Sequence, residues 1–128
     1  MREAAAGSAQ RRPLVFGLPG NPVSTLVSFQ LFVLPALYSL AGGAFTATPT
    51  RLAALSKPFA HRGKRPTYHP CRRVQHESDE SDRLQVEPLD WRGSADLAAL
   101  TRADCLGVFP AGDYELAAGA GVETIELG

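Results

Sequence analysis

The chain is poor in several things that usually point to a function. Its 128 residues include two cysteines, Cys71 and Cys105, too few for a disulfide framework, so a reducing cytosol is the expected setting. Neither charge sign is in excess: 13 basic side chains meet 13 acidic ones. That balance excludes the basic surplus of general nucleic-acid or membrane-surface binders. The opening MREAAAGSAQRRP lacks the apolar core of a secretory signal. There is no internal repeat, and no low-complexity tract beyond an alanine bias. No Ser–His–Asp or Cys–His arrangement follows from spacing. The one long apolar stretch, Val23–Leu40, is broken by Ser24, Thr25, Ser28, Gln30 and Pro35, which argues against a spanning helix. The expectation is a soluble, cytoplasmic protein of one domain or two small ones, with no nucleic-acid or membrane partner.

What is present begins with dense punctuation. Pro19-Gly20-Asn21-Pro22 stands between the short apolar run Leu14-Val15-Phe16 and the long one from Val23. The first run suits a buried strand ending at Gly17. Asn21 is a favoured N-cap, and Pro22 falls at the first helical position, where its missing N–H costs nothing. Apolar residues on nearly every side predict a helix buried on most sides. Pro35 is expected to kink or divide it near Leu31–Leu34, and Gly42-Gly43 to stop it. A strand, a glycine-bearing turn and a capped helix also make an anion site in principle. The free N–H groups of Val23 and Ser24 would face a phosphate or oxyanion. The turn has neither the G-x-x-x-x-G-K-[ST] nor the G-x-G-x-x-G pattern, so a plain connection remains the alternative.

From Thr46 the texture becomes strand-like. Arg51–Leu55, Thr67–Val74, Leu84–Glu87, Cys105–Phe109 and Val122–Leu127 are separated by Pro, Gly and charged turns, with Leu84/Val86 and Ile125/Leu127 at the strand period. Ser94 is placed to cap a short helix over Ala95–Leu100. Residues 46–128 therefore read as a small, mostly β domain.

Within it, HRGKRPTYHPCRR (61–73) concentrates Arg62, Lys64, Arg65, Arg72 and Arg73. This is either an anion-facing ribbon or a solvated one balanced by Glu77, Asp79, Glu80 and Asp82, and the second is favoured. His69, Cys71 and His76 lack the second close pair of a zinc site. Cys105 reads as a core thiol, and Trp91 and Tyr114 as packing residues.

The stretch Phe16-Gly17-Leu18-Pro19-Gly20-Asn21-Pro22-Val23-Ser24, followed by Phe29, Pro35 and Leu40-Ala41-Gly42, resembles the signature of the MoeA/gephyrin family of molybdopterin molybdenumtransferases. Gly93-Ser94, Leu97, Leu100, Ala103-Asp104 and Phe109-Pro110 resemble that family's last domain. The resemblance covers roughly residues 14–128. It implies an α+β chain: a strand–loop–helix remnant of an α/β molybdopterin-binding domain (1–45), then a small C-terminal β domain of bent-ribbon or barrel-like form (46–128).

The activity implied is insertion of molybdate into adenylylated molybdopterin, with magnesium, late in molybdenum cofactor synthesis. The two prolines of the loop border that site in the family, which carries onto Pro19 and Pro22. Gly20, Asn21 and Ser24 are the neighbours expected to present donors to the anionic substrate. A homodimer, or association with the missing catalytic segment, is the implied assembly. The family's acidic metal-binding positions, its glycine-rich molybdopterin segment and its lysine-bearing loop do not occur in this sequence. The chain therefore reads as a C-terminal portion, inactive alone, with no metal ligand of its own. The rival readings are an interaction module, because the family includes the scaffold gephyrin, or an inert gene remnant.

Overall fold

The computed structural model describes residues 12–44, 47–74 and 83–128. Five strands close into a barrel in the order β1-β4-β3-β5-β7: β1 Arg51–Leu55, β4 Gln85–Pro88, β3 Thr67–Val74, β5 Cys105–Phe109 and β7 Gly121–Glu126. A separate two-stranded ribbon pairs β2 Phe59–His61 with β6 Tyr114–Leu116. All barrel pairs are antiparallel except β1 with β4, which is parallel and joins Ala54 to Gln85 and Leu55 to Val86. The small mostly-β body expected from the sequence is thus a closed barrel.

Alternation fills it. Ala53, Leu55, Cys71, Val86, Cys105, Phe109 and Val122 form the buried core, with Phe59, Leu84 and Leu116 packed against it. Both cysteines are free and fully buried, and burial pushes the Cys71 thiol up to about 12 and the Cys105 thiol up to about 11. Thiols held protonated in this way are inert. Gly107 keeps room for this packing: a Cβ there would lie 2.9 Å from the Phe109 ring and 3.0 Å from Cys71 Sγ. Pro70 is tolerated inside β3 because of where it falls. Pairing to β5 runs over Thr67–Cys71 and pairing to β4 starts at Cys71, so the missing N–H breaks no ladder. A second row, Pro70–Leu106–Ile125, runs across β3, β5 and β7 and is also buried. A helix passes that side: Gln30 and Leu34 border the same cleft as Ile125.

That helix is one continuous rod of 19 residues, Pro22–Leu40, made of α1 Pro22–Ser28, a π turn Phe29–Val33 and α2 Leu34–Leu40. By length and composition alone it could cross a membrane. The rod runs on through Pro35 without the expected break, with a π turn just before it. Leu34 N–H reaches back to Phe29 O, a five-residue step that takes up the disruption around Pro35. Gly42, at φ +85, ends the rod: its N–H bonds Ser39 O and the Gly43 N–H bonds Tyr38 O, the two bonds of a glycine stop.

Two expectations fail here. Leu14-Val15-Phe16 is not a strand but exposed irregular chain, Val15 being 90% accessible. No strand among the described residues lies beside it, and a strand without a neighbour has nothing to bond. The helix is not buried on most sides either: among the described residues Val23 is its one buried residue, while Phe32, Leu37, Tyr38 and Leu40 are exposed. Among the described residues the part before β1 is loop and helix, with no strand of an α/β layer beside it.

Candidate functional site

The Pro19–Ser24 loop and helix start are exposed up to Asn21, half-buried at Pro22 and Ser24, and buried at Val23. Asn21 occupies the N-cap position with extended dihedrals, φ −79 and ψ 131, yet its side chain makes no cap hydrogen bond. Thr25 does the local work instead. Its hydroxyl donates to Asn21 O at 3.0 Å and also to Pro19 O, and its N–H bonds Asn21 O at 2.8 Å. Gly20 has ordinary backbone dihedrals, with no positive φ, and open space where a Cβ would stand.

Of the two donors expected to face an anion, one is already used. Val23 N–H donates to Ser94 O at 3.1 Å, which ties the helix start to the turn before α3 Leu97–Thr101. Ser24, the third helical residue, keeps an N–H that the helix itself does not satisfy. Ser94 is not the cap of α3 as the sequence suggested. Asp96 is, accepting from Ala99 N and Arg92 N, each at 3.1 Å, and those bonds hold its carboxyl below the usual range.

The join leaves a cavity of about 250 Å³. Val23 and Ser24 from the helix meet Thr67, Tyr68, Trp91 and Ser94 from the barrel across it. Pro19, Gly20, Asn21 and Pro22 do not line it. In its wall, the indole Nε1 of Trp91 is buried with no hydrogen-bond partner. Trp91 meets His69 edge to face at 5.1 Å, and His69 also packs on Phe59 at 4.9 Å. His69 Nε2–H donates to Leu89 O at 2.8 Å, and burial holds the imidazole's pKa below its ordinary value. Trp91 does pack, as expected, but on a histidine.

Three of the five cations of the basic ribbon are paired, by partners the sequence reading did not name. Arg62 pairs with Glu115 at 2.6 Å, Arg72 with Glu87 at 2.8 Å, and Arg73 with Glu126. Glu77, Asp79, Glu80, Asp82 and His76 lie outside the described residues. His61 is buried, with Nδ1 on Gly112 O at 2.5 Å and Nε2 on the Thr67 hydroxyl at 2.9 Å. Among the described residues no group of three His, Cys, Asp or Glu side chains could hold a metal. Glu87, Glu115 and Glu126 hold cations, while Asp96, Asp104 and Asp113 accept backbone N–H groups. These six carboxylates do not fit magnesium, which wants free oxygen ligands, and Asp90 and Glu123 belong to no group that could hold a metal.

The described residues thus form a closed five-stranded barrel with an appended ribbon, met by a helix that starts at a proline–glycine loop. Residues 52–127 match the MoeA C-terminal region (domain IV), and the chain belongs to that family. Gephyrin of Dictyostelium discoideum is 36% identical over 122 residues, which take in 90% of this chain and 17% of gephyrin. Two solved structures of the molybdopterin biosynthesis moeA protein of Pyrococcus horikoshii superpose with TM-scores of 0.61 and 0.60. They are 20% and 26% identical, and the matches cover 83% and 86% of this chain but 26% and 25% of theirs. The chain therefore spans about a quarter or less of the relatives it matches.

Proposed function

We propose that the chain is the C-terminal part of a molybdopterin molybdotransferase, which inserts molybdate into adenylylated molybdopterin during molybdenum cofactor synthesis. Residues 1–45 would end its molybdopterin-binding domain, and 46–128 would be its last domain. The observation that carries the reading is the membership of residues 52–127 in the MoeA C-terminal family, together with a proline–glycine loop held at the barrel by the Val23–Ser94 bond. Pro19 and Pro22 would border the substrate, with Gly20, Asn21 and Ser24 as neighbours. The Ser24 N–H and the positive helix end suit an anion there. Magnesium ligands would come from elsewhere in the enzyme, because no group of three metal-ligating side chains occurs among the described residues. A homodimer in the cytoplasm is part of the proposal.

The test is a chimera in which residues 14–128 replace the matching region of an active family member. It should insert molybdenum into molybdopterin, and Gly20→Val should abolish insertion without lowering the barrel's melting temperature. Nothing crowds a side chain at Gly20, so a loss would report on substrate rather than on folding. A folded but inactive parent chimera, or a fully active Gly20→Val, overturns the reading. A second reading, a non-catalytic interaction module, is favoured by one observation: the exposed apolar side of the helix at Phe32, Leu37 and Leu40.

A further inference from the structure

We propose that the π turn Phe29–Val33 is a register switch in the rod, and that the Thr48 hydroxyl is the latch that sets it. The turn leaves one carbonyl in an unusual position. In an α-helix Gln30 O would accept from Leu34 N–H, but that N–H goes one residue further back, to Phe29 O. In the π register Gln30 O would accept from residue 35, which is a proline with no N–H. The rod therefore gives Gln30 O neither of its regular donors. Thr48, half-buried in the linker before β1, donates its hydroxyl proton to Gln30 O instead.

Two registers compete at this point. Tightening the turn to α returns Leu34 N–H to Gln30 O, but Leu31 O, four residues before Pro35, then faces a residue that cannot donate. Pro35 thus penalises both registers, and a hydroxyl from outside the helix decides between them. Its bond is worth most where Gln30 O has no other donor, because leaving an acceptor unpaired costs more than a second bond to a satisfied one gains. Val23 is tied to Ser94, so a change of register turns α2 rather than the loop-bearing α1. In the π register Leu34 borders the cleft beside Ile125, while Leu37 and Leu40 are exposed. The α register would bring a different side of α2 to the barrel. The latch therefore fixes which apolar side chains the far half of the rod offers outward. The switch does not depend on the reaction proposed above.

The test is NMR of the isotope-labelled full chain, reading the scalar coupling that passes through a hydrogen bond from Leu34 N–H to its acceptor carbonyl. In the parent this coupling should run to Phe29. Thr48→Val, which keeps the branched shape and removes the hydroxyl, should shift the balance toward the α register by about fivefold, the weight of one neutral hydrogen bond. The shift would be seen as a weaker Phe29 coupling and a new one to Gln30. Thr48→Ser, which keeps the hydroxyl, should match the parent. The coupling from Val23 N–H to Ser94 should persist in all three proteins. An undiminished Phe29 coupling in Thr48→Val overturns the latch, because Pro35 alone would then hold the turn open. A parent coupling to Gln30, or a Thr48→Ser chain that behaves as Thr48→Val does, also overturns it. So does loss of the Val23–Ser94 coupling in Thr48→Val, since Thr48 would then fasten the rod to the barrel without choosing its register.

Discussion

His69 donates its Nε2–H to the Leu89 carbonyl and presses its ring against Phe59 and Trp91. Burial is the main cause of its lowered pKa, so the folded state binds a proton less readily than the unfolded chain, where the value is the ordinary 6.5. Stability is then fully present above the unfolded value. It falls as the pH drops below about 6.5 and levels off under the folded pKa. Melting temperatures measured from pH 8 to pH 5 should decline over this window, and His69→Gln should flatten that decline. Parallel profiles for the two proteins would refute the assignment. Glu87 and Asp96, whose carboxyls are held low by Arg72 and by the Ala99 N–H, lose their contribution only at more acid pH and leave the window clear.

At the scale of elements, strands were more legible than caps. Arg51–Leu55, Thr67–Val74 and Cys105–Phe109 are bounded in the structure as the apolar runs and turn residues indicated. The ribbon Phe59–His61 with Tyr114–Leu116 was missed, because three residues mixing aromatic, charged and small side chains carry no alternation. Caps depend on where a side chain turns, which composition does not encode: Asn21 and Ser94 had suitable chemistry, but Thr25 and Asp96 make the bonds. Asp96→Ala should therefore lower the melting temperature, whereas Ser94→Ala and Asn21→Ala should each change stability by no more than about 0.5 kcal/mol. Thermal melts of the three variants check this, and a Ser94→Ala loss as large as that of Asp96→Ala would restore the sequence-based cap.

For the whole molecule, the decisive fact is that the rod has a barrel on one side and, among the described residues, no layer on the other. The sequence made it apolar all round, and that was readable. Which side would be covered was not, since the covering surface is not encoded in the helix. Phe16, Phe32, Leu37, Tyr38 and Leu40 leave an apolar surface of the kind that marks a partner site or aggregates. The chain alone should self-associate and bind a hydrophobic dye. Phe32→Ser/Leu40→Ser should reduce both, with barrel stability changed by no more than about 0.5 kcal/mol. Sedimentation velocity and dye fluorescence measure this, and a monomeric, dye-silent parent at high concentration would refute it.

The helix is also a lever, and its two attachments set its arithmetic. Val23 N–H on Ser94 O holds the rod near its first turn, and the Thr48 hydroxyl on Gln30 O holds it further along. Seven residues of helix separate these points by about 10 Å, and Leu40 overhangs the second by about 15 Å. A 1 Å sideways displacement at Gln30 would therefore tilt the rod by about 6° and swing its far end by about 2.5 Å. The Pro19–Pro22 loop adjoins the fulcrum and would scarcely move. The barrel thus acts as the bearing that keeps the loop in position while the distant end of the helix follows whatever it touches.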